Sequence, residues 1–164
     1  MVKRFVIMAA LAGATIAPVW AEESISDWGS SGDWRVRINA AAGNGCFIEK
    51  DFDDGIQMRF GFLPAQEGGF ISATSEAWTD LTAGQTGIVK FFTSEEKFAG
   101  EVEMIEQGAR RGGQAFFNNP AFLIEVAKRN SLRVVGPSGR EFEIALKGSA
   151  KAITEMERCQ AEQG

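Results

Sequence analysis

Ile56-Gln57-Met58-Arg59-Phe60-Gly61-Phe62 places an apolar residue at every second position. Side chains of a strand point alternately to opposite faces, so this run buries its apolar set as a strand with one face in a core. Asp54-Gly55 stands directly before it and closes the polar stretch Asp51 to Gly55. Gly accepts the positive φ of a tight hairpin, so the pattern predicts a turn that leads back to a strand at Cys46-Phe47-Ile48. Any fold for this chain has to accommodate that antiparallel pair.

The same period recurs along the chain. Trp34-Arg35-Val36-Arg37-Ile38 alternates apolar with basic, so its two arginines are expected to face water. Gly69 to Thr74, Ile88 to Phe92, Gln114 to Phe117, Leu132 to Val135 and Glu141 to Leu146 read as further strands. Phe98 to Ile105 sets Phe98, Gly100, Val102 and Met104 on one side and Glu101 and Glu103 on the other. Asn39 to Asn44 reads as a loop and Gly108 to Gly113 as a basic, glycine-rich turn. Ser75 to Gly87 is ambiguous: Trp78 and Leu81 suit a helical turn, whereas Thr79, Thr82 and Thr86 resist one.

The period changes at Asn119-Pro120, a cap followed by the residue favoured at a first helical position. Phe122, Leu123, Val126 and Ala127 then form an apolar stripe, and a second helix from Gly148-Ser149 turns Ala152, Ile153, Met156 and Cys159 inward. Short alternating strands with two late helices predict a mainly β chain: an antiparallel β-sandwich or curled barrel with both helices packed at one end. Parallel α/β architecture needs repeated helical crossovers, which the first hundred residues lack.

The amino terminus carries a different signal. Lys3 and Arg4 precede an apolar run from Phe5 to Ile16, Pro18 ends it, and Val19-Trp20-Ala21 supplies small residues at the positions a signal peptidase reads. Residues 1 to 21 are therefore expected to be a signal peptide cleaved near Ala21, residues 22 to 32 a flexible lead-in, and residues 33 to 161 a single β-rich domain. No later segment is apolar enough to enter a membrane as a helix. The expected location is periplasmic or secreted. Two thiols in an oxidising compartment are expected to pair, and a Cys46 to Cys159 bond would close most of the domain into one loop, stabilising it by roughly 4 to 5 kcal/mol in the chain-entropy model.

Composition excludes several functions. Without any His, Ser-His-Asp hydrolysis, Cys-His chemistry and histidine-ligated zinc sites are ruled out. Two cysteines cannot build a four-thiolate site, and neither a phosphate-binding Gly-Lys loop nor G-x-S-x-G occurs. The formal charge of −5 becomes −7 once the two basic residues of the signal are removed, a balance that argues against nucleic acid as a partner. Ser94-Glu95-Glu96-Lys97 matches S-x-x-K but reads as a polar hairpin turn. Asp51, Asp53 and Asp54 form an acidic loop whose spacing does not fit an EF-hand. Glu49, Glu76, Glu101, Glu103 and Glu106 are the carboxylates available for paired acid and base chemistry, and no sequence feature pairs them. No cofactor or metal site is expected.

Aromatic residues are in excess of what one-sided strands need. In the doublets Phe91-Phe92 and Phe116-Phe117 adjacent rings face opposite ways, so each should expose one unless something covers it. These four phenylalanines are the candidate interface.

The words Gly32-Asp33-Trp34-Arg35-Val36, at one end, and Phe142-Glu143-Ile144-Ala145-Leu146-Lys147-Gly148-Ser149 with Ala152, Met156 and Cys159, at the other, resemble the invasion-associated locus B family of small exported alphaproteobacterial proteins. That family commonly places a Cys just after the Trp-x-Val strand, where this chain has Ile38-Asn39. The resemblance implies a periplasmic or secreted β-rich domain without an established catalytic site, linked to host-cell interaction.

The expected function is therefore that of a non-enzymatic protein binding another protein or an envelope component. An inhibitor or immunity-like protein, blocking a secreted hydrolase with Asp51 to Asp54, is one alternative. An atypical carboxylate hydrolase is the other.

Overall fold

The computed structural model describes residues 25–164. The signal segment, its cleavage site and the start of the lead-in lie outside the described residues. Ten strands form one sheet in the order β1-β2-β3-β4-β5-β8-β7-β6-β9-β10, and every neighbouring pair is antiparallel. They are β1 Ile25–Ser31, β2 Trp34–Asn39, β3 Gly45–Asp51, β4 Ile56–Leu63, β5 Gly68–Ser75, β6 Thr86–Phe92, β7 Lys97–Gln107, β8 Arg110–Phe117, β9 Ser131–Val135 and β10 Glu141–Ala145. Helix α1, Ala121–Ala127, follows β8, and α2, Ser149–Glu162, closes the chain.

The expected antiparallel β fold with two late helices is present. The sheet is single and open, and its curl brings the two halves together as in a sandwich. Met58 on β4 and Val134 on β9 line one cavity although four strands lie between them. Flat sheet at roughly 4.8 Å per strand would hold them about 24 Å apart, so the sheet must bend around its core. That core joins Trp34, Ile48, Met58 and Phe60 of the first half to Phe91, Leu132 and Ile144 of the second. Helix α2 lies on β1, β2 and β3 and also touches α1, which reaches β5.

The Asp54-Gly55 hairpin forms as its residues require: Gly55 has φ +80°, and the Asp54 carboxylate accepts from the Ile56 amide. The predicted bond between Cys46 and Cys159 also forms, holding α2 to β3 with the Cα atoms 6.1 Å apart. Inside the same helix–sheet layer, Gln160 Oε1 accepts from the Cys46 amide at 2.9 Å.

Three segments depart from the sequence pattern. The lead-in supplies β1, which pairs with β2 with a bulge between Asp27 and Gly29, and the Trp28 indole at the bulge donates to Glu162 of α2 at 2.8 Å. The turn expected at Gly108 to Gly113 contracts to Gly108-Ala109, and Arg110 already belongs to β8. Gly112 stays in the strand because β5 crowds it: a side chain there would run into the Ala73 carbonyl. Of Ser75 to Gly87, Ser75 ends β5 and Thr86 and Gly87 begin β6, and between them the chain forms turns without a helix, in which Trp78 packs on Phe142 with ring centroids 5.4 Å apart.

Candidate functional site

Register across the sheet aligns the side chains that face away from the core into two adjacent rows. One row is polar: Arg35, Glu49, Arg59, Ser72, Gln114 and Glu103 stand opposite one another from β2 to β7. The other is largely aromatic, running Arg37, Phe47, Gly61, Phe70 and Phe116. Gly61 is the residue that lets it close, since a side chain there would collide with Phe47 and the Phe70 ring. Phe47 and Phe70 consequently approach to 6.4 Å between centroids.

Glu49 is the centre of the polar row. Its side chain is 1% exposed, and three guanidinium groups converge on it: Arg35 at 2.6 Å and Arg37 at 3.3 Å on Oε1, Arg59 at 2.6 Å on Oε2. Arg59 also lies over the Phe47 ring, 5.2 Å from its centroid. A buried carboxylate is tolerated only when paired in this way, and here both oxygens are engaged. The arginines expected to face water do lie on the side away from the core, with Arg35 about half exposed and Arg37 partly covered. Arg35, Arg37, Glu49 and Arg59 all hold the non-core parity of neighbouring strands, and the register between those strands brings them together.

A cavity of about 220 Å³ opens on this face. Ala41, Ala42, Leu63, Phe70 and the edge of the buried Phe47 form its apolar wall, and Asn39, Arg59, Gln107 and Gln114 bring polar groups to it. Gln107 Oε1 is shielded from solvent and accepts no hydrogen bond. A second, apolar cavity of about 60 Å³ lies inside the curl between Met58, Met104, Val134, Trp78 and Phe142. Its lining is almost wholly apolar, and it opens past Pro137, Ser138 and Arg140. At its rim Arg140 donates to Asp80 at 2.8 Å, and this guanidinium holds the Asp80 carboxyl below the usual carboxylate range.

The four candidate phenylalanines separate by parity. Phe91 and Phe117 point inward and meet at 6.1 Å, with Phe117 stacked on Phe122 of α1 at 4.5 Å. Phe92 is on the outer face beneath the Arg133 guanidinium, 4.0 Å away. Phe116 is 42% exposed. Sequence reasoning passed over its companion, Ile88, which is 56% exposed on the same face and pairs across β6 and β7 with Glu101. The register that sets Val102 opposite Ala115 puts Glu101 beside Phe116, so the two apolar residues flank one carboxylate.

The acidic loop is largely engaged. Asp51 pairs with Arg35 at 2.6 Å and Arg110 at 3.6 Å and accepts from Gln57. Asp54 caps Ile56, and Asp53 is left exposed at the turn. Ser94 to Lys97 includes the β6–β7 turn, in which Thr93 Oγ1 accepts from the Glu95 and Glu96 amides. Of the carboxylates available for catalysis, Glu106 pairs with Arg111, whereas Glu101 and Glu103 share the exposed side of β7. Among the described residues no group of three or more His, Cys, Asp or Glu side chains is placed to hold a metal ion, and no helix is long and apolar enough to cross a membrane. Neither a family model nor a curated protein nor a solved structure matches the chain.

Proposed function

We propose that this chain is a non-enzymatic exported protein that binds another protein or a component of the cell envelope through the outer face of its sheet. The observation that carries the reading is the pair Ile88 and Phe116, the large hydrophobic side chains left exposed among the described residues, set on either side of Glu101. Solitary exposed apolar residues are ordinary, but here two flank one carboxylate, and Phe116 stands at the exposed end of an aromatic row whose other rings, Phe70 and Phe47, are buried. The complementary surface offers apolar side chains around a Lys or Arg that meets Glu101. Export is supported by the Cys46–Cys159 bond, a kind that persists outside the reducing cytoplasm, and by the signal-like sequence of residues 1 to 21. The resemblance to the invasion-associated locus B proteins favours the same compartment.

Affinity capture from a periplasmic extract of the native host tests the interface. A specific partner held by the oxidised protein should weaken at least tenfold with Phe116→Ala or Ile88→Asp, as for a central interface residue worth more than about 1.4 kcal/mol. Retention unchanged by both substitutions removes this face from consideration. Phe91 and Phe117 are unsuitable probes, since truncating a packed ring costs about 3 to 5 kcal/mol of stability and would confound loss of binding with loss of fold. Mass analysis of the secreted protein tests export: a chain beginning at Glu22 and two hydrogens lighter than its reduced form is expected, and retained Met1 with two free thiols refutes it.

A further inference from the structure

The core is left unfilled at the end of the curl where the β5–β6 connection and the β9–β10 turn meet, and the gap is the apolar cavity of about 60 Å³. Ala73 sits on the core side of β5, in register between Met58 and Gly113, and stays partly exposed although Met58 and Ile71 beside it are buried. Gly113 has no side chain to fill the space, and Met104 opposite it keeps 8% of its surface accessible. Nearer the mouth the cavity is bounded by Trp78, Leu81 and Phe142, all partly exposed. Apolar surface therefore reaches the opening from both the sheet and the connection.

Width and charge narrow the ligand class. An apolar cavity of ~150 Å³ takes up benzene, and this one is less than half as large, so a ring does not fit and the end of an unbranched alkyl chain does. The rest of such a chain leaves through the opening past Pro137, Ser138 and Arg140. Arg140 is the charged side chain among those that line the cavity, and it decides which head group can follow the tail. Its guanidinium is a fork of N–H donors, of which one goes to Asp80 at 2.8 Å. Asp80 is itself largely exposed, and an exposed pair of this kind is weak enough to be shared or displaced. A ligand carboxylate is received there by charge-assisted hydrogen bonds, whereas an ammonium group would be repelled.

From this geometry we infer that the cavity holds the tail of a straight-chain fatty acid whose carboxylate is received by Arg140 at the mouth. The site is separate from the Ile88 and Phe116 surface and does not rest on it.

The test titrates the oxidised, isotope-labelled full chain with octanoate while following the methyl resonances of Ala73 and Met104 and the indole N–H of Trp78. Octanol serves as the neutral-headed probe and cyclohexanecarboxylate as the ring. Octanoate should shift all three resonances saturably. Arg140→Gln should weaken it about tenfold, the loss expected for one charge-assisted contact, without weakening octanol, and Asp80→Asn, which frees the guanidinium, should tighten it. Ala73→Leu fills the cavity and should abolish binding, and Arg140→Gln at the rim keeps the test decisive if Ala73→Leu folds poorly. The assignment is overturned by the absence of a saturable shift with octanoate, by binding that survives Ala73→Leu, by an octanoate affinity indifferent to Arg140→Gln, or by cyclohexanecarboxylate binding as tightly as octanoate. Partner capture through Phe116 should be unaffected by Arg140→Gln, which separates failure of this site from failure of the protein interface.

Discussion

Arg59 donates its Nε to Glu49 Oε2 at 2.6 Å across the β3–β4 pair, and the carboxylate receiving it is almost wholly removed from solvent. Two more guanidiniums share that carboxylate. The carboxylate itself is the charge that water does not reach, while Arg35 and Arg37 each have a second partner, Asp51 and Asp27. Glu49→Ala removes the charged acceptor that three guanidiniums share and should lower the unfolding free energy by about 1.5 to 3 kcal/mol, more than any surface ion pair of this chain is worth. Urea unfolding measures it. A loss near that of Glu141→Ala, whose pair with Arg133 is exposed, would show that the cluster does not stabilise the fold.

The Cys46–Cys159 bond spans 113 residues and joins α2 to β3. Constraining so long a loop in the unfolded chain is worth roughly 4 to 5 kcal/mol by chain entropy. The double substitution Cys46→Ala with Cys159→Ala should shift the urea midpoint down by an amount corresponding to that loss, less the part recovered by apolar packing of the two alanines. An unchanged midpoint would mean that the bond adds nothing to the contacts made by Ala152, Ile153 and Met156.

How far these features were legible depends on whether local pattern or register decides them. The alternation at Ile56 to Phe62 and the Asp54-Gly55 turn are properties of adjacent residues, and β4 with its hairpin follows from them. The inward Cys159 follows equally from helical period. Burial of Glu49 and exposure of Ile88 are different, because each depends on which residue of another strand lies opposite. The Gly112-Gly113 pair was misread for the same reason: glycine signals a turn in isolation, whereas here it answers close approach by β5 and β7. Parity within a strand is visible in sequence, and the pairing order β5-β8-β7-β6-β9 is not.

Asp80 lies in the connection between β5 and β6 and is held by Arg140, whose guanidinium also sits over Trp78 at 5.2 Å. The hydrogen bond from Arg140 lowers the folded-state pKa of Asp80 from its ordinary 3.8, followed by a backbone hydrogen bond within Asp80 itself. Stability from a lowered carboxyl is present in full above the unfolded value and disappears as pH falls through the folded one. The clamp should therefore hold at neutral and mildly acidic pH and release below about 3.8. Trp78 gives the readout: its emission should change in that acid range in the native protein, and Asp80→Asn should abolish the transition. A transition that persists in Asp80→Asn would assign it to other carboxyls, such as Glu125 beside Lys128.

Ser149 joins the two helices at a point that water does not reach. Its hydroxyl lies 2.8 Å from the Ala127 carbonyl at the end of α1 and 2.7 Å from the Leu146 carbonyl just before α2. One proton serves two acceptors, and the Leu146 carbonyl has a second donor in the Ser149 amide at 3.0 Å. The Ala127 carbonyl is the one that depends on the hydroxyl. Ser149→Ala should then cost about 1 to 3 kcal/mol, the penalty of a buried acceptor left without its partner. Because that carbonyl belongs to α1, amide exchange in residues 121 to 127 should accelerate more than in the β4–β5 pair. Equal acceleration in both would indicate that the substitution acts through global stability alone, and no acceleration would mean that the hydroxyl holds neither helix.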